Sequence, residues 1–282
     1  MKTISGDECQ PLSLTRRIED FPIGNIPLAE HRNHLPHAAG ITIHPLAWLD
    51  ADEFAEFATS GDKSLTAADG SALAWRGSTP DLSSARVARH SFFIRYPWDL
   101  LAANERYVSS LRENHIEGDI HPSAVIEGII HLGQGTRILP GVFIEGNVVI
   151  GGNCKIGPNC YIRGNTSIGD NCHIGQAVEI KNCLILSKTN VGHLSYVGDS
   201  VLGENVNFGA GTIVSNLRHD GKNHRSMVNG GLIDTGRRKF GCIVGDGVHT
   251  GIHTAIYPGR KLWPNTSTRP GEIVNKDLVA EN

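Results

Sequence analysis

A six-residue period dominates this sequence. Ile120, Ile126, Leu132, Ile138, Ile144, Ile150, Ile156, Ile162, Ile168, Ile174 and Ile180 follow one another at intervals of six without a slip. Gly133, Gly151, Gly157, Gly169 and Gly175 occupy the next position in five of these hexads. Four residues after each aliphatic comes a small or β-branched side chain, as at Ala124, Thr136, Val142, Val148, Cys154, Cys160, Thr166, Cys172 and Val178. Neither a helix nor an alternating strand generates a period of six. Three hexads make an eighteen-residue triangular coil, with short strands as sides and corners that need the permissive backbone of Gly or Asn. The pattern therefore predicts a mainly β protein built on a left-handed parallel β-helix, a solenoid in which each coil packs only on its neighbours.

The period continues with shortened steps through Ile185, Val191, Val197, Leu202, Phe208 and Val214, breaks over 217–241, and resumes at Val244, Thr250, Ile256, Leu262 and Thr268. About seven coils are expected, with one long loop excursion, and so long an interruption of a regular solenoid reads as functional. Cys154, Cys160 and Cys172 fall on the inward small-residue position, which makes them core thiols instead of metal ligands. Six of the 33 glycines lie in residues 1–117 and 27 in residues 118–282, so the composition shift sets a domain boundary there. Residues 1–117 read as a reduced α+β domain ending in a linker helix. Pro97 suits a first helical turn, Leu101, Asn104, Val108 and Leu111 recur at helical spacing, and Asp50 with Glu53 would box-cap a shorter helix through Phe57.

A formal charge of −3, from 26 basic against 29 acidic residues, gives no global attraction to nucleic acid or anionic lipid. No long uncharged apolar run and no apolar leader segment are present, so a cytoplasmic protein without membrane partners is expected.

Eighteen-residue stacking converts sequence into contacts. Glu127, Glu145, Arg163 and Lys181 form one column, in which Arg163 and Lys181 would repel unless an anion lay between them. His193 falls at a coil corner one coil after Lys181, with Glu179 one coil below near the same edge. An imidazole oriented by a carboxylate is suited to general-base work near neutral pH.

At these residues the chain resembles a known family. Val178-Glu179-Ile180-Lys181, Gly192-His193-Leu194-Ser195-Tyr196-Val197-Gly198-Asp199, Asn205-Val206-Asn207-Phe208-Gly209-Ala210-Gly211-Thr212-Ile213 and Asn216 carry the likeness, in their order and spacing. Residues 156–216, and more loosely 120–275, are similar to the acetyltransferase half of the bifunctional N-acetylglucosamine-1-phosphate uridyltransferase/glucosamine-1-phosphate acetyltransferases, notably the archaeal-type sugar-1-phosphate nucleotidylyltransferase/acetyltransferases. The resemblance implies acetyl-CoA as cosubstrate, an amino-sugar 1-phosphate as acceptor, no metal, and a homotrimer with sites between neighbouring subunits. It makes His193 the general base with Glu179 beside it, and places Asn216 near the acetyl group. Arg163, Lys181, Tyr196, Asn207 and Lys239 become substrate contacts. Ala210, Gly211, Ile252 and Pro270 become cofactor contacts, with Ile252 standing where the family has a CoA-contacting serine. The chain ends soon after Asp277, before the family's C-terminal arm.

In the N-terminal part, Pro11-Leu12-Ser13-Leu14-Thr15-Arg16 resembles the opening of some sugar nucleotidyltransferases, but no Gly-x-Gly occurs before Gly133. The expectation is a structural remnant without uridyltransferase activity. Two other readings differ in class. His219 and His224 echo the paired histidines of γ-class carbonic anhydrases, and His31, His34 and His37 form a second candidate metal cluster. A non-catalytic scaffold or sugar-nucleotide-sensing solenoid is the remaining alternative, against which the set Glu179, Lys181, His193, Tyr196 and Asn207 speaks.

Overall fold

The computed structural model describes residues 7–36 and 39–280. His37, one of the three histidines of the N-terminal candidate cluster, lies outside these residues.

From His115 onward the chain winds into a three-sided parallel β-solenoid, as the hexads require. The first face is a six-stranded parallel sheet from Asp119–Ile120 to Asn207–Phe208. The second has eight strands, from Val125–Glu127 to Ile273–Val274, and the third has eight, from His115–Ile116 to Lys261–Leu262. Bridges Asn207↔His249 and His249↔Ser267 carry the first face through the last coils, so the stack has eight coils, one more than the period alone suggested. The aliphatic of each hexad points inward. Ile144, Ile162, Ile180 and Val197 line the inside of the second face, Ile150, Ile168 and Ile185 that of the third, and Ile138, Ile156, Ile174 and Val191 that of the first. Each is at most 2% exposed, and burying such a side chain is worth about 1.5–3 kcal/mol. All six cysteines are buried and free, and Cys154 Sγ accepts from the Cys172 amide at 3.3 Å in the expected stack. Burial pushes the Cys160 thiol up to about 11, which keeps it an inert core group.

The third face differs from the other two in what it turns outward. Leu184, Val201 and Ile243 point away from the solenoid axis and are nevertheless fully buried, because the N-terminal segment covers them. Helix Pro97–Ser110 lies across the strands Thr166–Ile168, Leu184–Ile185 and Val201–Leu202. Pro97 begins it, and Leu100, Leu101, Ala103 and Val108 form its inner stripe. The buried Asn104 on the same stripe accepts from Ser167 Oγ at 2.7 Å and from the Gly24 amide at 2.9 Å, and its Nδ2 donates to the Asn165 carbonyl at 3.2 Å. Arg16, in the segment that resembles a nucleotidyltransferase opening, is bound to solenoid carboxylates, Asp246 at 2.5 Å and Glu204 at 3.1 Å.

The rest of the N-terminal segment includes a four-stranded sheet in the order Ile41–Ile43, Ala72–Arg76, Ser64–Thr66, Ala85–Val87, with helix Ala51–Thr59 beside it. Asp50 caps that helix, accepting from the Glu53 amide at 3.1 Å. The expected return bond of a capping box is missing. The Glu53 carboxylate is turned instead to the amides of Arg89 and Ser91, and the Asp50 amide donates to Ser91 Oγ.

The excursion is a β-hairpin, Arg225–Val228 against Gly231–Asp234, turned at Asn229-Gly230 with both residues at positive φ. It is no free loop: Val228 and Phe240 join the core shared by the N-terminal segment and the third face.

Candidate active site

Between the first and second faces the chain turns a corner at every coil, and these corners stack. Leu194 donates its amide to the Gln176 carbonyl, Gly211 to His193 at 2.9 Å, His253 to Ala210 at 2.8 Å and Gly271 to Ile252 at 2.8 Å. Gln176, His193, Ala210, Ile252 and Pro270 thus stand one above another, about 4.8 Å apart per coil. The expected base and the expected cofactor contacts Ala210, Gly211, Ile252 and Pro270 form a single strip, with His193 at its foot. His193 is exposed, its side chain makes no hydrogen bond among the described residues, and Ile252, 51% exposed, offers the strip an apolar surface.

The second face brings most of the expected substrate residues together beside that corner. Glu179 pairs in register with Tyr196, and Arg163 with Lys181, whose next partner upward is Gly198. The two stacked cations are each neutralised within the chain. Arg163 Nη2 donates to Glu179 at 2.6 Å, and Lys181 Nζ to Asp199 at 3.0 Å. The repulsion that the column predicted is therefore absent, and no external anion is needed to hold the two cations. Arg163 commits only Nε and Nη2 to Glu179, which leaves Nη1 for a ligand. Glu179 serves the guanidinium, not the imidazole: no hydrogen bond joins it to His193, contrary to the orienting role the spacing suggested. Its acceptance from Arg163 raises the guanidinium pKa further.

Above these pairs, Tyr196 Oη and the Asn216 amide meet at 3.0 Å. Gly198 makes this contact feasible, since a Cβ there would lie 2.5 Å from Tyr196 Oη and 2.7 Å from Asn216 Nδ2. Burial, followed by the charges of Asp199 and Glu179, raises the Tyr196 phenol above its ordinary value, so it stays protonated. Lys239 sits at the end of the excursion, bridged to Leu217, and the adjacent Phe240 amide donates to the Asn216 carbonyl at 3.0 Å. Lys239 is exposed. Asn207 is not part of the group. It lies on the first face, between Asn190 and His249, on the other side of the His193 corner.

Asp199 is the residue that the sequence reading left without a role. It is 3% exposed and accepts from Lys181, from Asn182 Nδ2 at 3.0 Å and from Asn216 Nδ2 at 2.5 Å. Its signal was present in the corner between the second and third faces. Gly128, Gly146 and Gly164 hold positive φ in that column, then Asn182 and Asp199 take over with φ of 53° and 51°. Asn and Asp are the non-glycine residues that tolerate this conformation, and they add a polar side chain where glycine has none.

One histidine of each candidate metal cluster has a structural role. His31 Nε2 bonds the Ile23 carbonyl at 2.9 Å and packs edge-on to Trp48 and Tyr107. His224 is buried with Nε2 on the Asn216 carbonyl at 3.1 Å, and burial lowers its pKa. Among the described residues no group of three metal-ligating side chains converges, and no helix is long and apolar enough to cross a membrane.

The unbroken hexads, three parallel ladders and stacked corners define a hexapeptide-repeat parallel β-helix. Residues 144–267 match the family described as the GMPPB C-terminal domain. The chain is 40% identical over 185 residues to a bifunctional sugar-1-phosphate nucleotidylyltransferase/acetyltransferase of Sulfurisphaera tokodaii, covering 66% of this chain and 46% of that protein. It is 38% identical over 189 residues to the bifunctional protein GlmU of Methanococcus aeolicus, covering 67% of this chain and 46% of the other. The chain spans about half the length of the curated relatives it matches.

Proposed function

We propose that this protein is an acetyl-CoA-dependent N-acetyltransferase acting on an amino-sugar 1-phosphate, with glucosamine-1-phosphate as the acceptor, and that it lacks uridyltransferase activity. The observation that carries the reading is the placement of these groups along the second face and the corner that leads into it. An exposed, unbonded imidazole stands at the foot of the Ala210–Ile252–Pro270 strip and beside the Arg163, Lys181, Tyr196 and Asn216 cluster. The name of the Sulfurisphaera tokodaii relative, which pairs nucleotidylyl transfer with acetyl transfer, supports the acetyl-transfer part of it.

In this reading acetyl-CoA lies along the corner strip with its thioester near His193. The acceptor's amine, once neutral, attacks the thioester carbonyl, forming the C–N bond. His193 takes the proton that the nitrogen sheds, the C–S bond breaks, and the thiolate leaves and is reprotonated from the imidazolium. Arg163 Nη1 and the free N–H of Lys181 supply charge-assisted hydrogen bonds to the 1-phosphate, and Tyr196 and Asn216 position the sugar and the acetyl group. Asn207 faces away from this cluster in its own chain, so it would serve a neighbour's. That is the arrangement of a homotrimer whose sites lie between subunits, in the cytoplasm where acetyl-CoA is available. Arg163 with Glu179, Lys181 with Asp199 and Tyr196 with Asn216 form three internal pairs, which a scaffold has no physical need to maintain.

Thiol release from acetyl-CoA, followed across a panel of amino sugars and their 1- and 6-phosphates, tests the reading. Release confined to a 1-phosphate supports it. Release with no acceptor dependence, or none with any amino sugar, would falsify it.

A further inference from the structure

The N-terminal segment reaches the site through one carboxylate. Glu105, on helix Pro97–Ser110, faces the corner between the second and third faces and is 26% exposed. Its Oε1 accepts from Asn182 Nδ2 at 2.5 Å, and its Oε2 accepts from Arg237 Nη1 at 3.0 Å, while Arg237 Nη2 also reaches Oε1. Arg237 belongs to the excursion, two residues before Lys239. Asn182 follows Lys181 directly and donates to Asp199, the carboxylate that also holds Lys181 and Asn216. The Asn182 amide therefore bridges two carboxylates, one from the N-terminal helix and one from within the candidate site.

We propose that Glu105 is a positioning residue, which clamps the excursion against the stacked coils that carry Lys181, Asp199 and Asn216 and so makes the N-terminal segment part of the acceptor site. The inference rests on the acyl-transfer reading of that site and deepens it. Three features of the geometry support the role. The carboxylate is shared between Asn182 of the solenoid and Arg237 of the excursion, which make no hydrogen bond to each other. The Arg237 side chain is 18% exposed, and its Nε is buried without a partner, so the guanidinium depends on Glu105 for its hydrogen bonds. The far ends of the clamp are the residues flanking the acceptor cluster: Lys181 next to Asn182, and Lys239 two positions beyond Arg237. The corner strip of His193, Ala210, Ile252 and Pro270 lies on the opposite side of the second face and shares no bond with the clamp. Loosening the clamp should accordingly affect the sugar phosphate and spare acetyl-CoA.

The test compares wild type with Glu105→Ala, Glu105→Gln, Arg237→Ala and the Glu105→Ala/Arg237→Ala pair, by amide hydrogen exchange over residues 217–239 and by steady-state kinetics with glucosamine-1-phosphate. Glu105→Ala is expected to speed exchange in the excursion about tenfold and to raise KM for the sugar phosphate about tenfold, with KM for acetyl-CoA within about twofold of wild type. Arg237→Ala should do the same, the double variant should be no worse than either single one, and Glu105→Gln, which keeps an acceptor, should fall between. Wild-type exchange and wild-type KM in Glu105→Ala would overturn the proposal. So would equal losses for both substrates together with a lowered melting temperature, which is the signature of a merely structural contact. If wild type transfers acetyl to no amino-sugar phosphate, the acyl-transfer reading fails by itself. The exchange measurement still decides the clamp, accelerated exchange supporting it and unchanged exchange refuting it.

Discussion

Removing the Asp199 carboxylate should damage both stability and acceptor binding, to an extent that the local geometry sets. Asp199 is 3% exposed and accepts from a lysine and two asparagine amides. Taking one partner from a buried ion pair costs about 3–5 kcal/mol, because the other charge stays buried and unpaired. Lys181 retains 16% side-chain exposure, so its ammonium finds some water and the lower end applies, about 3 kcal/mol. In Asp199→Ala a further ~1 kcal/mol arises because alanine must adopt φ near 51°. The sum is about 4 kcal/mol. Asp199→Asn keeps the backbone tolerance and one acceptor and should cost about 1.5–2 kcal/mol. Urea unfolding at fixed protein concentration, with an unchanged m value, reads these differences. The deciding comparison is a double-mutant cycle. In a Lys181→Met background no buried ammonium remains, so Asp199→Asn should cost at least about 1 kcal/mol less than it does in wild type. Additive losses would show that the pair does not couple and would refute the network as described.

Three further outcomes follow from the same geometry. Lys181→Ala should raise KM for the sugar phosphate far more than KM for acetyl-CoA, and equal effects in steady-state kinetics would count against the phosphate assignment. Burial pushes the Asp99 carboxyl up to about 6, against the pull of the Tyr96 and Arg95 amides. A carboxyl whose folded pKa is raised contributes stability that is fully present below the unfolded value of about 3.9 and lost as pH climbs through the folded one. Between pH 4 and pH 7, wild type should therefore lose melting temperature relative to Asp99→Asn, and a constant gap would contradict the assignment. Light scattering at micromolar concentration should give the mass of a trimer, and a monomer would remove the intersubunit site.

Much of the fold was legible because the repeat is also the physics of the coil. An aliphatic every sixth position has to line a three-sided core, and Ile126, Ile144, Ile162 and Ile180 do so in consecutive strands. The cofactor contacts of the corner strip came from the family resemblance, and the stacking of the corners explains why Ala210, Ile252 and Pro270 lie one above another. Two features were readable and overlooked. Leu184, Val201 and Ile243 are apolar at outward positions, which requires a cover on that face, and Asn229-Gly230 between Val228 and Leu232 is a two-residue hairpin signature. What spacing could not supply was the choice among partners. Glu179 lies within reach of both the corner and Arg163, and the guanidinium holds it because two N–H groups converge on one oxygen. The links from Glu105 to Asn182 and Arg237 span 77 and 132 residues, and no local pattern encodes them.

The proposed acyl transfer places its chemistry at the His193 corner. Truncating an exposed corner side chain leaves the aliphatic core untouched, while loss of a general base is typically worth about 10²–10⁴-fold. The most direct measurement is kcat for acetyl transfer to glucosamine-1-phosphate by His193→Ala, on protein shown to melt and assemble as wild type does. The expected result is a fall of at least about a hundredfold, with sugar-phosphate affinity nearly unchanged. Turnover near that of wild type in a folded His193→Ala protein would contradict it.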